Sequence, residues 1–144
     1  MIGLDANVLV RYFAQDDVVQ AAAANRLIEE VLSVTNRGFI SSIVLCELVW
    51  VLKKPYHLTK ERLLTVINQI LVTDVFEVEH RNCALYAAND YATGNADFSD
   101  YYLAEIGCEA GCLVTTTFDA NASGHPFFAT VDSIVKQNLP KESK

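Results

Sequence analysis

Five short apolar runs punctuate this chain, and stretches of helical periodicity separate them. The runs cover 2–5, 39–40, 75–79, 112–115 and 127–131. Between the first two lie a short helical stretch, Asn7 to Phe13, and a longer one, Val18 to Leu32. In the longer one Ala21, Ala24, Leu27, Ile28, Val31 and Leu32 recur at helical spacing. Asp16 or Asp17 can cap it, and Asn36-Arg37-Gly38 reads as a turn. Ser41-Ser42 precede a helix from Ile43 to Lys53 that is apolar on most sides and stops at Pro55. Thr59 opens another helix, with Leu63, Leu64, Ile67, Ile70 and Leu71 on one face. Two more follow, Asn82 to Tyr91 and Phe98 to Ala110, the last closed by Gly111. Strands that alternate with helices predict an α/β domain of three α/β/α layers around a parallel sheet of four to five strands.

The totals fit one domain over 1–135, with a polar tail from 136 to 144 expected to fray. Apolar residues make up 51% of the 144 and charged residues 20%, a globular balance. The formal net charge of −7 and a pI near 4.8 exclude a protein that coats nucleic acid by bulk charge. They leave room for an enzyme with a bound cation and a local basic strip. Cys46, Cys83, Cys108 and Cys112 lie in apolar stretches and form no CxxC pair, so they read as reduced core cysteines. No basic leader precedes the first strand, and no apolar run is long enough for a bilayer. A soluble, cytoplasmic protein is the expectation.

Five carboxylates stand where strands end or helices begin: Asp5, Glu47, Asp97, Asp100 and Asp119. Each abuts an apolar run and reads as at least partly buried, where an ionised acid needs a cation. Open parallel sheets bind ligands at the carboxyl ends of their strands. Asp5 ends the first strand, Asp119 lies just past the fourth, and Asp97 and Asp100 share the first turn of a helix. Glu47 is about one turn into the helix after the second strand. Converging oxygens there suit Mg2+ or Mn2+, which can activate a water against a phosphodiester. Simpler roles compete: Asp97 as a helix cap, Asp100 as a first-turn acid favoured by the dipole, and Asp119 as a turn residue. Asn7 and one of Thr115, Thr116 and Thr117 are candidates for supporting the acids.

The stretch Met1-Ile-Gly-Leu-Asp5-Ala-Asn7-Val-Leu-Val-Arg11 resembles the opening of PIN-domain proteins, especially VapC-type toxins of bacterial toxin–antitoxin pairs. Ser42 to Leu48 resembles the helix that carries that family's glutamate. Ala96-Asp97-Phe98-Ser99-Asp100 resembles its third acidic motif, and Leu113 to Asp119 its final Thr-x-Asp segment. The resemblance implies a PIN-like fold and a Mg2+-dependent endoribonuclease, with Asp5, Glu47, Asp100 and Asp119 in the family's acidic positions. Asp97 is an additional acid that some members carry. A cognate antitoxin protein and a homodimer are implied as well. The triple threonine and the neutral segment after Asp119 depart from the family's pattern.

Seven of the eleven lysines and arginines occur by position 62. Arg11, Lys53, Lys54 and Tyr56 are candidate RNA contacts, since charge mixed with aromatic rings can grip a backbone and stack on bases. His57, His80 and His125 are dispersed and read as non-catalytic. Other phosphoryl-transfer folds lack their marks: Asp5 is followed by Ala6 and Asn7 rather than a second acid, and no Gly-rich turn follows the first strand. A catalytically silent PIN-like binding module, or another metal-dependent α/β phosphoesterase, is the alternative.

Overall fold

The computed structural model describes residues 1–140. The chain runs β1 (Ile2–Gly3), α1 (Ala6–Ala14), α2 (Val18–Arg26), a π turn (Leu27–Val31), β2 (Gly38–Ile40) and α3 (Ser42–Lys53). It continues with α4 (Lys60–Val72), β3 (Phe76–Val78), α5 (Arg81–Thr93), α6 (Phe98–Glu109), β4 (Thr115–Thr117), β5 (Phe128–Thr130) and α7 (Val131–Asn138). This is the expected α/β architecture. Every strand pair is parallel, but the five strands divide into a three-stranded sheet, β1-β2-β3, and a separate pair, β4-β5.

Local chemistry explains the helix starts. The side chains of Asp17, Ser41 and Thr59 each accept a backbone N–H from the first turn of their helix. Asp16 is drawn away to Arg11 and Tyr56, which leaves Asp17 as the cap of α2. Gly111 ends α6 with a φ of +97°, a left-handed turn that other residues resist. The core is aliphatic on α3 and α4 (Leu45, Leu48, Leu52, Leu63, Ile67, Ile70) and aromatic between α5 and α6 (Tyr91, Phe98, Tyr102).

Three expectations change. The fourth strand lies at Thr115–Thr117 rather than 112–115, because its ladder to β5 pairs Thr115 with Phe128 and Thr117 with Thr130, while Leu113 is 93% exposed. Cys108 and Cys112 are exposed rather than in the core, since they fall in and after the last turn of α6. The segment expected to be a polar tail from Lys136 begins inside a helix. Thr130 caps α7, accepting from the Ser133 N–H at 3.2 Å, and the helix runs to Asn138. The rest of the tail, 141–144, lies outside the described residues.

Candidate active site

The three parallel strands of the larger sheet end at one level. The ladder extends past β1 through Leu4 N–H to Phe39 O, and past β2 through Glu79 N–H to Ile40 O, both at 2.9 Å. The same register sets Asp5, Ser41 and Glu79 side by side at the carboxyl edge. Asp5 caps α1 by accepting from the Ala6 N–H at 2.8 Å. Glu79 accepts from the backbone N–H of Ser42 at 3.0 Å and from its hydroxyl at 2.9 Å. Those two bonds hold its carboxyl below the usual range. Sequence reasoning missed Glu79. Its signal was the one used for Asp5, an acid directly after a buried apolar run.

A second group of acids forms where α6 begins. Asp97 caps the helix and closes a capping box with Asp100, whose Oδ2 accepts the Asp97 N–H at 3.0 Å. From there α6 descends to Gly107, and β4 returns alongside. A Cβ on Gly107 would sit 3.0 Å from Thr115 Oγ1, so the glycine permits this close approach. Thr117 is two residues further up the strand, facing the same way, and its Oγ1 accepts the Asp119 N–H at 2.9 Å. Asp119 then accepts from the Asn121 N–H at 2.8 Å, a local turn that orients the carboxylate. Of the three threonines, Thr117 supports Asp119, Thr115 packs on α6, and Thr116 is exposed.

Electrostatics register this proximity. Burial first, and then the negative charges of Asp97 and Asp119, push the Asp100 carboxyl up; its bond from the Asp97 N–H and the charge of Lys53 oppose them. Lys53 donates to Asp97 Oδ1, and that bond raises the ammonium against the effect of its partial burial. Cys46 on α3 also feels Asp100; burial and that charge move its thiol up to about 11. Cys46, Trp50 and Lys53 of α3, with Lys54 just past its end, line a crevice of about 90 Å³ against Asp97 and Ser99.

The burial expected of the acids is corrected. Asp5, Glu47, Asp97 and Asp119 are exposed and Asp100 is half-buried. For Glu47 the reason is the outer face of α3, which leaves Ile43 79% and Trp50 59% exposed on the same stripe. Asp97 and Asp100 share the first turn of α6, and the charge of Asp119 acts on Asp100; Asp5 stands at the end of β1 and Glu47 on the outward side of α3. None of the five belongs to the groups of three or more donors that lie within 4.8 Å of one another among the described residues. Asn7 lines a groove between α1 and α2 together with Arg11. Arg11 donates to Gln20 Oε1, Asp16 Oδ1 and Tyr56 Oη, and Tyr56 donates to Asp16 Oδ2. Two of the four candidate RNA contacts, Arg11 and Tyr56, are thus tied into a network that braces α1 against the loop after α3.

The PIN domain family matches residues 2–125, and the chain belongs to that family. PIN domains are generally metal-dependent nucleases, and this one has acidic residues that could bind a divalent ion. No curated protein matches the chain. No helix among the described residues is long and apolar enough to cross a membrane.

Proposed function

We propose that this chain is a Mg2+- or Mn2+-dependent endoribonuclease and the toxin component of a toxin–antitoxin pair, acting in the cytoplasm. The observation that carries the reading is Asp100: its ionisation is opposed first by burial and then by the charges of Asp97 and Asp119. Crowded like charges are relieved by a cation. The donors are all carboxylate oxygens open to water, which suits a hard ion that keeps several of its waters and takes one or two carboxylates directly. Cys46 offers only a soft sulfur, which a hard ion of this kind does not favour.

Asp100 and Asp119 would hold the ion, with Asp97, Asp5 and Glu47 reaching it directly or through water. When bound, such an ion supplies charge neutralisation at the scissile phosphate and acidifies a water at neutral pH. Asp100 Oδ2 is taken by the Asp97 N–H, which leaves Oδ1 for a ligand or for the attacking water's proton. Lys53 and Lys54 offer charge to the RNA backbone, and the exposed Trp50 ring beside them offers a stacking face for an unpaired base.

An antitoxin segment laid over the exposed Ile43 and Trp50 side chains would cover Glu47 between them, so binding and inhibition would be one event. The same reading carries a homodimer, which light scattering would register as twice the chain mass.

The test is incubation with structured RNAs and, separately, with a small phosphodiester. RNA cleavage that needs Mg2+ or Mn2+ and vanishes in Asp100→Asn is the expected result. Metal binding without turnover would make the chain a silent binding module. Hydrolysis of the small ester alone would make it a phosphoesterase of another kind.

A further inference from the structure

Among the described residues, two clusters of mixed donors contain none of the five acids considered above. In one, Asp90, Glu105 and His125, the ring is already committed. His125 Nδ1 accepts the Phe127 N–H at 3.1 Å, so its proton is on Nε2, which donates to Asp90 at 2.9 Å. A cation on Nε2 would force a proton onto Nδ1, against the Phe127 N–H. This cluster is a clamp on the loop that follows Asp119.

The other cluster has no such conflict. We propose that His80, Cys83 and Glu109 form a zinc site, with Zn2+ held by Nδ1, Sγ and a carboxylate oxygen and with water in the fourth position. The donor atoms of all three residues lie within 4.8 Å of one another. His80 Nδ1 is 2.7 Å from Glu109 Oε1, and the Cys83 thiol donates to Glu109 Oε2 at 3.1 Å. Tetrahedral ligands at ordinary zinc bond lengths stand about 3.4 Å apart. About 0.7 Å of spreading between the exposed His80 and Glu109 side chains would admit the ion.

The placement supports the same reading. Cys83 is buried, while His80 and Glu109 are exposed above it, so an ion can enter from solvent and reach a sulfur beneath. His80 sits just ahead of α5 with a φ of +50°, a left-handed backbone uncommon outside glycine. The mixed sulfur, nitrogen and oxygen set favours Zn2+ and disfavours Mg2+. Binding is balanced by release of the thiol proton to solvent: Cys–SH, neutral His and Glu carboxylate give the Zn2+ thiolate complex and one proton. The ion would tie the start of α5 to the end of α6. Glu109 lies nine residues along α6 from Asp100, about 13 Å along the axis, so this site is separate from the nuclease acids.

The test uses Co2+ as the probe, added to the reduced full chain in excess Mg2+ that keeps the carboxylate site occupied. Expected is a near-ultraviolet thiolate-to-cobalt charge-transfer band that saturates at equimolar Co2+ and is bleached by Zn2+. Cys83→Ser should abolish it. His80→Ala, at an exposed position, should weaken Co2+ binding at least tenfold and keeps the test decisive if the serine variant misfolds. Absence of the band, or a band that survives Cys83→Ser through the other three thiols or is unmoved by His80→Ala, would overturn the proposal.

Discussion

Lys53 in the last turn of α3 donates to the carboxylate of Asp97, the residue that caps α6. This ion pair bridges the two helices that flank the crevice. It also sets a positive charge near Asp100 and eases that residue's ionisation. Replacing Lys53 with Met removes that help, so the Asp100 carboxyl rises further. The acid limb of the pH–activity profile should move to higher pH, and RNA affinity should fall. A pH profile unchanged from wild type would show that Lys53 does not act on Asp100.

Asp100 also makes a stability prediction. Its carboxyl is raised in the fold, so the native state binds the proton more tightly than the unfolded chain does. Stability from this group is present below the unfolded value and is lost as pH rises through the folded one. At neutral pH the ionised group is therefore a liability that a divalent cation relieves. Thermal melts should show Mg2+ raising Tm in wild type and raising it much less in Asp100→Asn.

Glu79 behaves in the opposite sense. Its carboxyl is lowered by two bonds from Ser42, so its contribution is present above the unfolded value and is lost as pH falls through the folded one. Glu79→Ala should cost about 0.5–2 kcal/mol at pH 7, the range of a helix cap. Urea melts at falling pH should show the difference between variant and wild type shrinking.

The approach of Gly107 to Thr115 can be read by a double-mutant cycle. Gly107→Ala adds about 1 kcal/mol of helix propensity but crowds Thr115 Oγ1 at 3.0 Å, so alone it should be close to neutral. With Thr115→Ala in place the crowding is gone and the same change should stabilise. Additive effects in denaturant melts would show that the two residues do not meet.

The parts of the fold legible from the sequence were those with local causes. Thr59 and Asp17 are caps and Gly111 is a stop because each works on its own turn. Asp97, Asp100 and Asp119 stood out by position; Asp97 and Asp100 share one helix end, and the charge of Asp119 acts on Asp100. Glu47 misled because the apolar run around it reads as buried on every side, whereas Ile43 and Trp50 face water. Helix α7 was hidden because it is short, its apolar stripe is only Val131, Ile134 and Val135, and it buries none of its residues. The threonine run has no alternation from which to read the register of β4; its pairing with β5 sets it. The joining of His80 and Cys83 to Glu109, 26 residues after the cysteine, is a tertiary fact that no local pattern encodes.

The central claim is that the acids around Asp100 bind a divalent ion, and calorimetry with Mg2+ tests it most directly. Wild type should show saturable binding that weakens roughly tenfold or more in Asp100→Asn and in Asp119→Asn. No binding heat in wild type, or one affinity across all three proteins, would contradict the account.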